Sequence, residues 1–471
     1  MSDLPTLSIT EASKKLAAKE ISAVELAEAC VAESQKKNPT LNAYLEVFDD
    51  VRAQAEAADL RRAGAEAAEV HPLLGIPLAI KDNILIAGKK VSAASKMLEH
   101  YVATYDATAI TKLKTAGAVF VGRTNMDEFA LGGSTENSAF GVTKNPHDES
   151  RVAGGTSGGS AAAVAANLAL GALGSDTGGS VRNPASFCGV VGLKPTYGAV
   201  SRSGLIAAVS SFDQIGPLTK TVADAELLFN AIKGKDVLDS TSIESTKSEI
   251  RNPKRKIGVP QSLLEGVQPE VLAQFEASLK KLESQGYVID RSIEFPSAKA
   301  ALAAYYIINF AEVSTNLSRF DGVRYGLSRK GESLWEDYAK SRAEGFGLET
   351  RRRIMLGTYV LSAGYYDAYY GKATEARKRL RAEFVEALQK VDSIATPTMP
   401  TPAWKIGEKS DPLSAYLADI FTVSANLTGN PAISVPMGTV SEGGSTLPVG
   451  IQLTAAHGDE AALFTLGRVL E

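Results

Sequence analysis

Residues 154–184 read GGTSGGSAAAVAANLALGALGSDTGGSVRNP, two glycine-serine clusters joined by a run of small and apolar residues. The first cluster, Gly154 to Ser160, precedes a helix of small residues. In the second, Gly174 to Pro184, Ser180 follows two glycines, so bare backbone N–H groups can point at one spot beside its hydroxyl. Glycine is frequent from Gly132 to Gly204, which predicts tight turns and close approach of backbone to a ligand. The apolar run Ala161–Gly174 is interrupted by Asn167 and is too short to span a bilayer.

Upstream, Gly75-Ile76-Pro77-Leu78-Ala79-Ile80-Lys81-Asp82-Asn83 puts a lysine at the end of an apolar strand. Short strands at Ile76–Ile80 and Ala118–Gly122 alternate with helical segments, and the alternation argues an α/β fold. The segment of about 1–70 reads as helical. Ser8 with Glu11 and Ser22 with Glu25 have capping-box spacing ahead of alanine-rich runs. Val222, Ala225, Leu228, Phe229 and Ile232 recur at helical spacing and predict a core-facing helix. Polar Lys233–Lys256 predicts a loop or insertion. Strands at Ile257–Pro260 and Tyr287–Asp290 flank a helix, and a long helical region follows from about Ala300 to Val391. Strand-like Ala432–Pro436 and Val449–Thr454 precede a final helix. No linker divides the chain, so residues 1–471 are expected to form a single domain, with a core of about 72–220 and a remaining α/β part of about 257–471.

Composition narrows the function. With 50 basic and 54 acidic residues the net charge is -4, which gives no electrostatic reason to grip nucleic acid. Cys30 and Cys188 cannot build a disulfide framework and fit a reducing cytosol. Met1–Thr10 shows no basic stretch followed by an apolar one, so no secretory signal is visible and a cytoplasmic location is expected. No phosphate-binding lysine motif and no metal-ligand cluster stands out, so no metal is expected.

Amide hydrolysis needs a nucleophile, a group to take its proton, and donors for the developing oxyanion. Ser180 offers the first. A buried lysine among apolar neighbours is driven toward its neutral, basic form, and a second hydroxyl could carry the proton between the two. The four histidines, His71, His100, His147 and His457, lie outside the glycine-rich segments, so a lysine-based site is easier to assemble. Read singly, a strand-end lysine is an ordinary surface residue and a Gly-Ser cluster an ordinary loop. Gly155-Thr156-Ser157-Gly158-Gly159 also matches G-x-S-x-G, with His457 in the right chain order, but polar Asn145–Ala153 is a poor strand for a nucleophile elbow.

Taken together, the two clusters and the Ile80-Lys81-Asp82-Asn83 setting resemble the amidase signature family, hydrolases with a Ser-Ser-Lys triad on a central mixed β-sheet covered by helices on both sides. Within it the chain is similar to the A subunits of tRNA-dependent amidotransferases. The segments carrying this are Ala94–Leu98, Thr124–Phe129, Gly132–Glu136, Lys194–Gly198, Arg319–Gly326 and Arg352–Thr358, and the likeness spans essentially the whole chain.

The resemblance implies Ser180 as nucleophile, Lys81 as base, and the N–H groups of Thr177, Gly178, Gly179 and Ser180 as oxyanion donors. It implies a middle hydroxyl, held by a cis peptide, 24 residues before the nucleophile, which falls on Thr156 where the family has serine. Threonine keeps the hydroxyl and adds a methyl and a stiffer χ1. Arg353 and Asp419 match positions that read the α-carboxylate and α-amino group of glutamine, and Tyr305 is expected in the same pocket. No cofactor is implied in this chain. ATP and Mg would be used by a kinase-like B subunit, which takes the ammonia and the misacylated glutamyl- or aspartyl-tRNA, and a small C subunit would complete a heterotrimer. The rival within the family is a stand-alone amidase with the same triad.

Overall fold

A computed structural model describes residues 3–64, 70–244, 255–409 and 411–471. Among these, thirteen strands follow in chain order: β1 (Tyr44–Val47), β2 (Pro77–Lys81), β3 (Val119–Thr124), β4 (Lys144–Asn145), β5 (Asp148–Val152), β6 (Gly171–Asp176), β7 (Val191–Lys194), β8 (Gln214–Thr219), β9 (Lys256–Gly258), β10 (Val288–Asp290), β11 (Ser393–Pro397), β12 (Ala432–Glu442) and β13 (Ser445–Thr454). Strands β4 and β5 make a separate hairpin. The other eleven form one mixed sheet in the order β1-β3-β2-β6-β8-β7-β12-β13-β11-β9-β10, flanked by helices.

A buried parallel trio, β3-β2-β6, lies to one side of a largely antiparallel middle. β2 lies between β3 and β6 and runs parallel to both, with Ile80 opposite Leu173. Every residue of β2 and β6 is buried, which is why both read as small and apolar rather than alternating. Because the two strands run the same way, Lys81 and Asp176, their last residues, reach the same edge of the sheet. Crevices outside the carboxyl ends of parallel strands are where open α/β sheets hold ligands.

Both capping boxes form, at Ser8 with Glu11 and Ser22 with Glu25. Helix Val222–Ile232 buries Val222, Ala225, Leu228, Phe229 and Ile232 as its periodicity demands. The flanked helix is Pro269–Ser284, and the long helical region resolves into Ala301–Asn316, Leu334–Gly345, Leu348–Val360 and Lys372–Lys390. The last two strands run longer than their apolar runs, because Thr439–Glu442 pairs with Ser445–Pro448 as a hairpin.

One expectation is corrected. The first seventy residues are not all helical, since β1 pairs antiparallel with β3 at the sheet edge. Four residues are too few to show a period, and the partner strand lies far along the chain. The loop expected at Lys233–Lys256 has turns but no helix and no named strand over 233–244, and residues 245–254 lie outside the described residues.

Two helices matter for the site. Ala301–Asn316 and Leu348–Val360 cross in direct contact at Gly357, where a Cβ would stand 1.8 Å from the Phe310 carbonyl oxygen. Gly357→Ala should therefore force the pair apart and lower stability by about 1–3 kcal/mol, the usual range for overpacking. Denaturant unfolding with an unchanged midpoint would show that the helices do not meet there.

Candidate active site

Lys81 is wholly buried at the end of β2. Its Nζ has four oxygens around it: Thr156 Oγ1 at 2.7 Å, Ser157 Oγ at 2.8 Å, Ser175 Oγ at 2.9 Å and the Ser175 carbonyl at 3.2 Å. Burial brings its pKa down to about 7, against the opposing pull of Asp127, Asp176 and Asp213. A neutral amine donates two hydrogen bonds and accepts one, so one hydroxyl can hand its proton to the lone pair.

The two candidate relay hydroxyls are held differently. Ser157 Oγ also accepts from the Ser175 N–H at 3.3 Å and donates to the Ser175 carbonyl at 3.2 Å, which stitches it to β6. Among the described residues, Lys81 is the sole partner of Thr156 Oγ1. The Ser157 N–H donates to the Ser180 carbonyl at 3.2 Å, so the two glycine-serine loops lie against each other. No cis peptide occurs among the described residues. The bend before Thr156 comes instead from left-handed glycines, Gly154 at φ 87° and Gly155 at φ 43°.

Ser180 sits on the turn between β6 and helix Arg182–Cys188 and is slightly exposed, and its hydroxyl has no partner among the described residues. The expected oxyanion donors are corrected in one respect. The Gly179 N–H is already given to Asp176 Oδ1 at 2.9 Å, and the Val181 N–H to Asp176 Oδ2 at 3.2 Å. The amides of Thr177, Gly178 and Ser180 have no acceptor among the described residues and remain available.

This turn is held from behind by Asp176 and Arg182, both fully buried. Burial works against the Asp176 carboxylate, but Arg182 and Asn426 keep its pKa well below the ordinary value. Thr177 Oγ1 donates to Asp213 Oδ1 at 2.7 Å, fixing the other end of the turn.

Of the expected pocket residues, Asp419 lines a cavity of about 260 Å³ with Gly132, Gly133, Ser134, Tyr306 and Glu349, among others, and Arg353 contacts two of these, Tyr306 and Glu349. Gly133 joins cavity to catalytic loops, since its carbonyl accepts from the Gly155 N–H at 3.0 Å and from Asn183 Nδ2 at 3.3 Å. Arg353 and Asp419 meet on one ring. Tyr306 donates to Asp419 Oδ2 at 2.7 Å, and the Arg353 guanidinium lies 5.5 Å from the Tyr306 ring centre and 5.3 Å from that of Tyr416. Arg353 Nε pairs with Glu349 Oε1 at 2.8 Å and Nη1 with Asn309 Oδ1 at 3.2 Å, while Nη2 has no partner among the described residues. Burial lifts Asp419 to about 7, with the Tyr306 hydroxyl and Arg353 opposing. Tyr305 stacks on Phe212 and packs its hydroxyl against Gly178, beside the Ser180 turn rather than against Asp419.

The structure thus brings together Lys81, Thr156 and Ser180 on one side and Arg353 and Asp419 on the other, with Tyr305 against the Ser180 turn rather than with the latter pair. Sequence reasoning missed Tyr306 and Glu349, for which no local pattern exists. It also passed over Asp176 and Arg182, for which one does: they are the only charged residues between Arg151 and Lys194. The G-x-S-x-G reading is not supported. β5 ends at Val152, well before Ser157, and His457 Nε2 is bonded to the Thr428 carbonyl. Another hollow, of about 300 Å³ near Phe48, Arg61 and Lys114, holds none of the signature residues.

A serine, a second hydroxyl and a buried lysine at the carboxyl edge of a mixed sheet define a hydrolase class that dispenses with imidazole. The sequence matches the Amidase family over residues 25–464, and the chain belongs to that family. It is 50% identical to the A subunit of glutamyl-tRNA(Gln) amidotransferase from Desulfatibacillum aliphaticivorans, over 98% of this chain and 96% of the relative. It is also 50% identical to the A subunit of that name from Koribacter versatilis, over 100% and 98%. The crystal structure of the glutamyl-tRNA(Gln) amidotransferase A subunit from Thermotoga maritima superposes with a TM-score of 0.82 at 43% identity, covering 100% of this chain and 95% of that one. The peptide amidase PAM, bound to chymostatin, superposes with 0.83 at 30% identity over 98% and 96%. Shape does not separate these relatives, whereas identity does.

Two outcomes test the geometry. Thr156→Val should cost about 10²–10⁴-fold in turnover, the usual worth of acid–base catalysis, with Thr156→Ser close to wild type and Ser157→Ala milder than Thr156→Val. The reverse ranking would move the relay to Ser157. Below about pH 7 Lys81 holds a proton and has no lone pair, so turnover of a simple amide should climb as pH rises through that value. A flat profile there would remove Lys81 from the base role.

Proposed function

We propose that this chain is the glutaminase component of a tRNA-dependent amidotransferase, hydrolysing glutamine through Lys81, Thr156 and Ser180 and passing on the ammonia. The observation that carries the reading is the meeting of Arg353 and Asp419 on Tyr306, beside the Ser180 turn, in a chain half identical to named A subunits over its full length. Buried charges of both signs suit a zwitterion, and a stand-alone amidase acting on an uncharged amide has no use for them.

In this mechanism the α-carboxylate takes the free edge of Arg353 and the α-ammonium takes Asp419. The side-chain amide then reaches Ser180. Its hydroxyl turns onto Thr156, whose own proton moves to neutral Lys81 as Ser180 Oγ attacks the amide carbon. The oxyanion falls on the N–H groups of Thr177, Gly178 and Ser180. Lys81 returns the proton through Thr156 to the leaving nitrogen, ammonia departs, and water releases glutamate from Ser180 by the same route.

The partners proposed are a B subunit, which uses ATP and Mg to activate glutamyl-tRNA(Gln) or aspartyl-tRNA(Asn), and a small C subunit that completes a heterotrimer. The chain itself needs no cofactor or metal. Among the described residues no helix is long and apolar enough to cross a membrane, and the proposed location is cytoplasmic, where tRNA is charged.

Co-purification with partner chains and a glutaminase assay with and without them tests this reading. Ser180→Ala should abolish glutamate release, and an acyl-enzyme adduct persisting in that variant would reject the nucleophile. Asp419→Asn should raise the KM for glutamine about tenfold or more, because a hydrogen bond to a charged group is lost. Glutaramate, which is glutamine without its α-amino group, should be unaffected, and equal losses on both would make Asp419 structural.

A further inference from the structure

Between the zwitterion pocket and the oxyanion turn stands one side chain with no role so far, Thr422. It lies two residues past the turn Ala418–Ile420 that carries Asp419, and it leads into helix Val423–Thr428. Its N–H donates to the Asp419 carbonyl at 3.0 Å, and its carbonyl accepts from Arg182 Nη1 at 2.9 Å. Its hydroxyl stands 2.6 Å from the Gly178 carbonyl oxygen and 3.2 Å from that of Asp419. A hydroxyl has one proton, and the shorter contact takes it, so Thr422 holds the Gly178 carbonyl.

That carbonyl belongs to the peptide whose N–H, on Gly179, is held by Asp176. A peptide is a rigid plane, and this one is pinned at both ends. Its orientation sets where the neighbouring Gly178 and Ser180 amides point. The fit leaves no slack, because a Cβ on Gly179, whose φ is 130°, would stand 2.4 Å from Thr422 Oγ1. Asp419 and the oxyanion donors are therefore linked through a single residue: any shift of the Asp419 turn moves Thr422 and tilts the pinned plane.

We infer that Thr422 is a positioning residue that couples recognition of the substrate's α-ammonium to alignment of the oxyanion donors, so that the correct amino acid raises turnover as well as affinity. The inference rests on the glutaminase reading above. When an ammonium group settles against Asp419 it draws that turn into place, and Thr422 transmits the displacement to the Gly178–Gly179 peptide. An amide without the α-amino group binds without this adjustment and meets misaligned donors. Binding energy at a remote group is thereby expressed in the transition state.

The test compares kcat and KM for glutamine and glutaramate, using the full chain assembled with its partner chains. Wild type should turn over glutamine about 5–150-fold faster than glutaramate, the usual range of coupling between two sites. Thr422→Val keeps the shape and deletes the donor. It should bring the two kcat values within about threefold of each other while leaving glutamine the lower KM, since Asp419 still holds the ammonium. Thr422→Ser should restore the kcat preference. If Thr422→Val does not fold, Thr422→Cys, with a much weaker donor, takes its place with the same expectation. Equal loss of kcat on both substrates, or a kcat preference that survives the loss of the hydroxyl, overturns the coupling. Wild type without glutaminase activity would instead overturn the functional reading itself, and equal wild-type kcat on the two amides would overturn the coupling alone.

Discussion

The Asp176–Arg182 pair is the constraint on which the catalytic half of the molecule depends. Neither side chain touches solvent, and each is saturated with partners. The five N–H donors of Arg182 go to both Asp176 oxygens, the Thr422 carbonyl, Asn426 Oδ1 and Gln452 Oε1. Asp176 in turn accepts from the Gly179 and Val181 amides and from Asn426. Breaking such a pair from one side costs about 3–5 kcal/mol, because the survivor is left charged in a dry interior. Two strands' ends, one reactive turn and one C-terminal helix are thus held in register by a single buried charge pair, and the turn cannot relax into a shape that satisfies its own free amides.

That arrangement explains an economy in the donor set. The Asp176 carboxylate takes the Gly179 N–H, which looks like a loss for catalysis, yet it is what keeps the neighbouring amides from turning away. An oxyanion site gains from donors that are aligned before the reaction, and alignment requires something behind the turn to hold it. Lys81 follows the same logic. Its four oxygen neighbours satisfy a neutral amine without supplying a formal counter-charge in contact, so burial can bring its pKa to about 7. The recognition half is the opposite case: Arg353 and Asp419 each have a polar partner in contact, Glu349 and Tyr306.

Much of this was legible along the chain. The capping boxes, the buried helix at Val222–Ile232 and the apolar strand ending in Lys81 are local patterns, and local patterns survive folding because neighbours in sequence remain neighbours in space. β1 was not legible, since Tyr44–Val47 becomes a strand only when β3 is beside it. Nor could sequence choose between Tyr305 and Tyr306. One residue's step around a helix separates the two rings by about 100°, and only the tertiary placement of the Ala418–Ile420 turn against that helix decides which one meets Asp419.

The amino-acid sequence by itself determined the chemistry available: a serine behind glycines, hydroxyls at 156 and 157, a lysine ending a buried strand, and an α/β alternation to carry them. These follow from composition and short spacings. Tertiary structure alone decided which groups work together. Arg182 finds Asn426 and Gln452 more than two hundred residues away, Thr422 finds Gly178, and the Gly179 amide is withdrawn from the expected donors by a carboxylate three residues before it. The physical reason is range: spacing fixes the direction of a side chain within one element, whereas a hydrogen bond requires two atoms within about 3 Å, a condition that only the packing of distant elements can meet.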